Sequence, residues 1–374
     1  MTRCDLAIVG LGAVGSAALL AAARAGADVV GIDRFAPPHV FGSTHGETRI
    51  VRAAIGEGLH YTPLALRSFA LWDQLRNETG ADLLNRCGAL IMGGVVPHAT
   101  HVGDGFLQTT IAAARAYDIP HDLLDTDQVR TRFPAFATFN AAQAYFEPGA
   151  GLAYPERVVA TQLGRAAALG ARTRLNTQVL ALRQEDGAVR VQCADSSIFA
   201  ARVIVCAGAW TSGFAPAPWA RDLSVTRQTL HWLDVTRDRP AHAPAHMPVF
   251  IWGDVYGFPM VGSPDDGLKI AAEDMHAHVD PDAVSREITA LDTDALLARM
   301  RAKFPQLGAH LRATVCLYTT SPDGHFRVGV HPDMDRVTLV SACCGHGFKH
   351  SAAVGEALAL DPAVLDAWRW SQPA

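Results

Sequence analysis

The sequence predicts a mixed α/β (α+β) fold with two domains, one of which is interrupted in the sequence by the other. First, Leu6–Ile32 has the pattern of an apolar strand, an Ala/Leu-rich helix and a second apolar strand, which together form a βαβ unit. Second, another apolar strand, Val203–Val205, lies far along the chain, where it can return to the first sheet. Third, residues 220–275 are strand-like with Pro and Gly between the strands, which is typical of a separate mixed β-sheet.

The remaining elements follow from apolar periodicity and from breaker residues. Helices are predicted at Leu64–Leu75, Leu107–Ala116, Thr126–Phe133, Val158–Leu169, Thr293–Phe304 and Lys349–Leu360. Strands are predicted at Gly88–Gly94, Gln143–Pro155, Ala171–Arg174, Val179–Leu182, Val189–Cys193 and Val337–Ser341. We assign residues 1–80, 150–220 and 312–374 to the first domain, and residues 81–149 and 221–311 to the second, which would hold the substrate.

The loop of the first βαβ unit carries glycines at the spacing of a dinucleotide-binding site. Gly10 permits a tight turn, Gly12 lets the backbone approach a pyrophosphate, and Gly15 allows close packing of helix and strand. Asp33 ends the second strand, where a carboxylate can accept hydrogen bonds from ribose hydroxyls. The same predicted site includes Ala13, Val14 and Arg34. The pattern predicts a Rossmann-like dinucleotide-binding domain and leaves FAD and NAD both open.

Charge and hydropathy exclude two classes of partner. The net charge is −5 and Lys and Arg do not cluster, so we expect no nucleic-acid partner. Leu6–Ala23 lacks charged residues and is long enough for a membrane span or a signal peptide. Three glycines at turn spacing, with Asp5 before this stretch and Arg24 after it, argue against both, so we expect no membrane partner.

The cysteine and histidine patterns do not indicate disulfides or a metal. The seven cysteines have no regular spacing, which favours a reducing, cytoplasmic location. His276 and His278, and the pair His242 and His246, lack cysteine or carboxylate partners at ligand spacing, so no metal site is predicted.

Several motifs beyond the βαβ unit resemble those of a known family. They are Gly42–Arg52 (GSTHGETRIVR), Gly56–Gly58, Tyr61–Arg67, Phe146–Pro148 with Gly151, Tyr256–Pro259 with Leu268 and Lys269, Cys316–Thr319 (CLYT) and Gly345–Lys349 (GHGFK). From the first strand to the last helix, the chain resembles the monomeric sarcosine oxidase and N-methyltryptophan oxidase family. These proteins are FAD-dependent amine oxidases of the D-amino-acid-oxidase-like superfamily, so the resemblance implies FAD as the cofactor.

The resemblance also implies that the flavin is covalently attached. Taken alone, Cys316 reads as a core residue because its neighbours are apolar. The matching family position carries the thiol that is bonded to the flavin 8α-methyl carbon. This chemistry requires a thiolate in a positive environment, for which Arg312, Arg49 and His45 are the candidates.

Substrate and oxygen sites follow from the same resemblance. Arg52 and Lys349 would clamp a substrate carboxylate, and Lys269 would stabilise the anion formed when O2 is reduced. Taken alone, Arg52 reads as a solvated helix residue and Lys269 as a strand lysine that could equally face solvent. The implied catalytic set is Lys269, Arg49, Tyr256 and His45, with Tyr256 also in the substrate pocket. The further FAD contacts would be Ser43, Thr44, Arg49, Val179, Ala207, Gly208, Trp210, Gly345, His346, Gly347, Phe348 and Lys349.

Glu273 departs from the family pattern. Family members with established motifs have a histidine four residues after the lysine, beside the substrate, and this chain has Glu273 there. An acid at this position attracts a cationic group or repels a second carboxylate, which makes sarcosine itself a less secure substrate. Alternatively the loop shifts, and His276 or His278 takes the position.

These observations predict an FAD-dependent oxidase of N-methyl or other secondary α-amino acids, which acts as a monomer and reduces O2 to H2O2. Two alternatives remain open from the sequence. One is a flavin-dependent amine dehydrogenase that passes electrons to a partner protein, and the other is a non-catalytic flavin-binding protein.

Overall fold

The structure is a computed structural model that describes residues 2–93, 105–141, 143–185, 187–262, 266–275 and 277–370. The strands are β1 Thr2–Val9, β2 Val29–Ile32, β3 Arg49–Val51, β4 Leu84–Asn85, β5 Ala89–Met92, β6 Asp122–Leu124, β7 Ala144–Glu147, β8 Gly151–Ala153, β9 Arg172–Arg174, β10 Val179–Glu185, β11 Ala188–Cys193, β12 Ser197–Val205, β13 Ser224–Val235, β14 Val249–Trp252, β15 Val255–Phe258, β16 Leu268–Ala272, β17 Leu307–Thr320, β18 Arg327–His331 and β19 Met334–Ser341. The helices are α1 Ala13–Arg24, α2 Thr62–Thr79, α3 Phe106–Ala116, α4 Thr126–Arg132, α5 Pro155–Ala168, α6 Ala217–Arg221, α7 Ala290–Met300 and α8 Ser351–Leu360.

The first sheet has β1 and β12 at its centre. β1 pairs in parallel with β2 and β12, and β12 pairs in parallel with β19. Antiparallel pairs add β10, β11 and β18, and β9 completes the sheet beside β2. The late strand therefore returns to the first sheet, with Val203 opposite Ala7, and the predicted mixed fold is confirmed.

Helix α1 is apolar because it is enclosed on all sides. Ten of its twelve residues are buried, and it packs against α5 and α8 as well as the sheet. A Cβ atom on Gly355 of α8 would lie 2.6 Å from Ala17 Cβ, so only small residues fit where the two helices meet. Close packing around this helix thus explains why Leu6–Ala23 lacks charged residues. None of the helices in the described ranges combines the length and apolar character that a bilayer crossing requires.

The second sheet is mixed and has the order β17-β13-β16-β15-β14-β5-β7-β6. Only β14 and β5 are parallel, and the other neighbours are antiparallel. One face carries an apolar core that includes Leu268, Ile270, Phe250 and Phe304. A third, small sheet has the order β3-β8-β4.

The proposed division into domains stays a prediction. The predicted boundary at residue 312 falls inside β17, which pairs with β13 of the second sheet from Leu307 to Thr320. The predicted strand Gly88–Gly94 corresponds to β5, although Gly94 lies outside the described residues. The final helix begins at Ser351, after a 3₁₀ turn over Gly347–His350.

Candidate active site

A cavity of about 500 Å³ lies between the carboxyl ends of the parallel strands of the first sheet and one face of the second sheet. Val9, Ile32, Cys206 and Val340 line it at the ends of β1, β2, β12 and β19. This is the edge at which α/β sheets commonly bind ligands. The predicted residues on the cavity wall are Gly10, Gly12, Ala13, Val14, Asp33, Arg34, Ser43, Thr44, Arg49, Arg52, Val179, Ala207, Gly208, Trp210, Tyr256, Glu273, Gly345, His346, Gly347, Phe348 and Lys349.

The glycine loop has the close packing that its spacing predicts. Gly10 has φ +89°, and a Cβ there would lie 2.4 Å from Cys206 O. A Cβ on Gly15 would lie 1.8 Å from Gly10 O, so both positions require glycine. A Cβ on Gly12 would have only Thr44 Oγ1, at 3.6 Å, within 4 Å. The backbone at Gly12 is therefore open to a ligand in the cavity.

Asp33 organises the same end of the cavity. Its carboxylate accepts hydrogen bonds from the backbone N–H groups of Leu11, at 2.7 Å, and Phe35, at 2.8 Å. Burial raises its pKa, and the two backbone donors and His39 oppose that shift. Arg34 and Trp210 both contact Asp282 nearby, and the Arg34 guanidinium lies 5.8 Å from the Trp210 ring centroid.

The second sheet turns one face toward the cavity, and its register explains why distant motifs meet there. β16 and β15 place Ala271 opposite Tyr256, and β13 and β17 place Gln228 opposite Cys316. Since side chains alternate along a strand, Lys269 and Glu273 lie on the same face as Ala271. Leu268 and Ile270 point into the opposite core, as the alternation predicts.

Two predicted substrate anchors converge at the inner end of the cavity. Arg52 follows β3 and is only 1% exposed, which overturns the solvated interpretation. Its Nη2 donates to Glu57 Oε2 at 2.6 Å, and Lys349 Nζ donates to Glu57 Oε1 at 2.8 Å. One carboxylate thus bridges both cations. Arg52 also donates to the carbonyl of Ala54, and Lys349 donates to His346 O at 3.1 Å.

The charges of this triad depend on one another. Burial alone would raise the pKa of Glu57, but Arg52 and Lys349 hold it well below its usual range. Burial lowers the pKa of Lys349 to about 8, and Glu57 opposes that shift. Glu57 therefore remains ionised, while Lys349 titrates in an accessible pH range.

Another buried acid, Glu147, holds the segment that carries Arg52. Its carboxylate accepts hydrogen bonds from the backbone N–H groups of Ala53, at 2.7 Å, and Ala54, at 3.1 Å, and from the Tyr145 hydroxyl, at 3.0 Å. Glu147 sits in one of the family-like motifs, Phe146–Pro148, and its position fixes the backbone next to Arg52.

Lys269 is buried behind the cavity wall, at 3% exposure, which overturns its solvent-facing interpretation. Its ammonium group donates to Gly46 O at 2.6 Å, Thr48 O at 2.8 Å and Thr48 Oγ1 at 3.1 Å. Phe258 covers it, with the ring centroid 4.4 Å from Nζ. Burial and the charge of Arg49 lower its pKa well below the usual lysine value.

Arg49 contacts both Cys316 and the loop that precedes β3. It donates to the carbonyl oxygens of Thr48 and Ser43 at 2.8 and 2.7 Å, and its Nη2 lies 3.5 Å from Cys316 Sγ. Burial raises the pKa of the Cys316 thiol, and Arg49 opposes that shift. Arg49 is the nearest of the three expected sources of positive charge.

The other two expected sources of positive charge, Arg312 and His45, do not supply it to Cys316. Arg312 ion-pairs with Glu47 at 2.9 Å and stacks over Trp232 at 3.9 Å. Burial lowers the pKa of His45 to about 3, so its imidazole is neutral near pH 7. Its Nε2 is buried without a hydrogen-bond partner among the described residues.

Glu273, not a shifted histidine, is the described residue that occupies the cavity wall after β16. His278 is exposed and contacts Ser224 Oγ at 2.6 Å, and His276 lies outside the described residues. Beside Glu273, the Tyr256 and Tyr318 hydroxyls lie 3.1 Å apart.

Sequence reasoning placed most of the site but missed its internal acid. Within the described part of the chain, Gly15, His45, Lys269 and Cys316 lie behind the wall instead of on it. Glu57 lies in the Gly56–Gly58 motif, and the motif by itself indicates no role for it. The available signal was an acid between two glycines close to Arg52, which is too short a pattern to identify a buried bridge.

Comparison with known proteins decides the family. The family described as FAD dependent oxidoreductase (DAO) matches residues 5–360. The chain belongs to this family. It is 32% identical over 362 residues to a monomeric sarcosine oxidase of Streptomyces avermitilis, covering 95% of this chain and 92% of the relative. It is 36% identical over 365 residues to an N-methyl-L-tryptophan oxidase of Yersinia pestis, covering 95% of this chain and 94% of the relative.

Solved structures of other proteins share the fold. NikD, described as an unusual amino acid oxidase, matches with a TM-score of 0.80 at 19% identity, over 97% of this chain and 95% of its own. L-proline dehydrogenase from P. horikoshii matches with a TM-score of 0.79 at 18% identity, over 96% of this chain and 92% of its own. At these identities the likeness shows the fold alone.

The cavity fits FAD, the cofactor of the family. At one end, the open backbone at Gly12 and the N-terminus of α1 suit a pyrophosphate, and Asp33 suits a ribose. The match to the FAD dependent oxidoreductase family resolves the dinucleotide prediction in favour of FAD.

Proposed function

We propose that this chain is an oxidase of N-methyl or other secondary α-amino acids. The observation that carries the proposal is the convergence of Arg52 and Lys349 on one carboxylate at the inner end of the cavity. A substrate carboxylate can take the place of Glu57 between the same two cations. The names of the two relatives, a sarcosine oxidase and an N-methyl-L-tryptophan oxidase, support this class of substrate.

The chain's own residues orient the substrate. The chemistry that bound FAD would supply is acceptance of a hydride from a carbon next to the substrate amine and transfer of the electrons to O2, which would yield H2O2. Arg52 offers a planar pair of N–H donors and Lys349 a point charge, so together they fix the direction of the carboxylate. Fixing the carboxylate fixes the reacting C–H bond, and orientation of this kind is a large part of such catalysis. The imine product hydrolyses in water.

We propose Cys316 as the covalent attachment residue of FAD. The adjacent guanidinium of Arg49 supports this role because it stabilises a thiolate. Cys316 is fully buried directly behind the cavity wall, so the flavin attached to it would lie against that wall.

We propose Lys269 as the residue that assists O2 reduction. A cation stabilises the anion that forms when O2 takes up the first electron. Its hydrogen bonds to the loop at Gly46–Thr48 keep it close to Arg49, which lines the cavity.

An anaerobic screen of N-methyl and cyclic secondary amino acids tests the proposal. The purified protein is mixed with each compound, and the flavin absorbance is followed. We expect at least one compound to bleach the flavin and O2 to restore it with formation of H2O2. The proposal is wrong if no secondary amino acid bleaches a fully loaded protein.

One observation favours a second candidate, an amine dehydrogenase that passes electrons to a partner protein. Lys269 gives its hydrogen bonds to protein carbonyls and a hydroxyl and lies behind the wall. O2 consumption during turnover decides between the two, because a dehydrogenase would bleach with substrate and remain reduced in air.

We also propose a reducing, cytoplasmic location, which the seven free cysteines support. Action as a monomer stays a prediction.

A further inference from the structure

Glu273 gives the substrate site an anionic wall near its cationic clamp. It is half-buried and lines the cavity directly after β16. Tyr256, Tyr318 and the two cations of the clamp line the same cavity. The charge of Glu273 adds to the rise that burial causes in the pKa of both Tyr256 and Tyr318. It also opposes the fall that burial causes in the pKa of Lys349. Glu273 therefore shares one cavity with the tyrosine pair and the clamp.

The charges around the clamp indicate what this acid does. A ligand carboxylate that replaces Glu57 becomes the new counter-charge of Arg52 and Lys349, so the clamp needs no second anion. Glu273 lines the same half-enclosed site, where an ionised carboxylate attracts a ligand cation in addition to the contacts it makes within the protein. A ligand with a second carboxylate would be repelled there.

We propose that Glu273 binds a positively charged nitrogen of the ligand, so that the site selects compounds carrying both a carboxylate and a cationic nitrogen. The inference rests on the proposed function, because it assumes that the ligand carboxylate occupies the Arg52–Lys349 clamp. The cationic nitrogen has two possible sources, the α-amine of an amino acid and a basic group on its side chain.

A ladder of primary amino acids, which lie outside the proposed class of secondary-amine substrates, measures this selection; a probe that bleaches the flavin is left out of the comparison. Glycine, β-alanine, 4-aminobutanoate, 5-aminopentanoate and 6-aminohexanoate are each compared with the simple carboxylate of the same chain length. Each is titrated anaerobically into the FAD-loaded protein, and the shift of flavin absorbance gives Kd. We expect one chain length at which the amino compound binds about tenfold or more tightly than its partner.

The position of that gain identifies the source of the nitrogen. A maximum at glycine assigns the contact to the α-amine, and a maximum at a longer chain assigns it to a side-chain cation. In Glu273→Gln the gain should disappear while binding of the simple carboxylates remains, which also shows that the variant is folded. Glu273→Asp should retain part of the gain.

Asp274→Asn is the matched control, because Asp274 is the next residue along, carries the same charge and is exposed. It should keep the full gain. The inference is overturned if no chain length shows a gain in the unmodified protein, or if the gain survives in Glu273→Gln. A failed substrate screen would instead contradict the proposed function, since these titrations do not require turnover.

Discussion

Glu57 lies between Arg52 and Lys349 and forms an ion pair with each, at 2.6 and 2.8 Å. All three side chains are almost fully buried, so the protein holds a carboxylate of its own where the substrate carboxylate is proposed to bind. A substrate must therefore compete with an internal anion, and the residues around the clamp set the balance of that competition.

Replacing Glu57 by Gln should tighten the binding of a simple carboxylate such as acetate about tenfold or more, because the internal competitor is lost. The same change removes the counter-charge of Arg52 and Lys349, which typically costs about 3–5 kcal/mol of stability. It also lowers the pKa of Lys349 further, because Glu57 no longer opposes the effect of burial, so acetate is titrated well below pH 8, where the lysine is charged. We therefore expect a lower melting temperature that acetate raises more than it does for the unmodified protein. Weaker acetate binding in Glu57→Gln would contradict the competition.

Removing either cation should weaken carboxylate binding by a graded amount. Arg52→Ala and Lys349→Ala each remove one charge-assisted contact, which is worth about 1.5–3 kcal/mol, or roughly ten- to a hundredfold in Kd. Flavin absorbance titrations with acetate measure the loss. Arg67→Ala is the control, since Arg67 pairs with Glu356 at the surface. Unchanged acetate binding in both variants would contradict the role of Arg52 and Lys349 in holding a carboxylate.

Carboxylate affinity should fall as the pH rises through about 8. Burial lowers the pKa of Lys349 to about 8, so the ammonium form that binds an anion predominates below this pH and is lost above it. Acetate itself stays ionised over this range, so the lysine is the group that changes. Titrations from pH 6.5 to 9.5 should show the fall, and Lys349→Met should flatten it. An equal slope in the variant would assign the titration to another group.

The sequence predicted the parts of the site that depend on local patterns. The spacing of the glycines predicts the tight turn, because the contact that requires Gly15 is with the backbone of Gly10, only five residues away. Alternation along β16 correctly separated Lys269 from Leu268 and Ile270. These patterns are local, so no knowledge of the tertiary structure is needed to read them.

The charge partners could not be predicted in the same way. Glu57 and Lys349 are separated by 292 residues, and their contact exists only because the loop after β3 meets the turn before α8. Lys269 likewise finds its acceptors more than 200 residues away, at Gly46 and Thr48. A sequence pattern indicates that such side chains carry charge, but only the fold decides which of them meet.

Cys316→Ala should release the flavin colour on denaturation, whereas the unmodified protein should stay yellow after acid precipitation. Arg49, 3.5 Å from the thiol, supplies the positive charge that a thiolate needs. Cys343→Ala is the matched control, because Cys343 lines the same cavity and should not affect attachment. Colour that washes out of the unmodified protein would contradict a covalent flavin.

Lys269→Met should slow reoxidation of the reduced flavin by O2 far more than it slows reduction by substrate. Negative charge develops on oxygen in the first process, and a buried ammonium that stabilises it is worth on the order of 10²–10³ in rate. Lys269 also holds the loop through Gly46 and Thr48, so some loss in the reductive step is expected as well. Lys269→Arg, which keeps the charge and can still bond the loop, should recover part of the oxidative rate. Stopped-flow measurement of each half-reaction separates these effects. Normal reoxidation in Lys269→Met would assign oxygen activation to another residue and would favour the dehydrogenase.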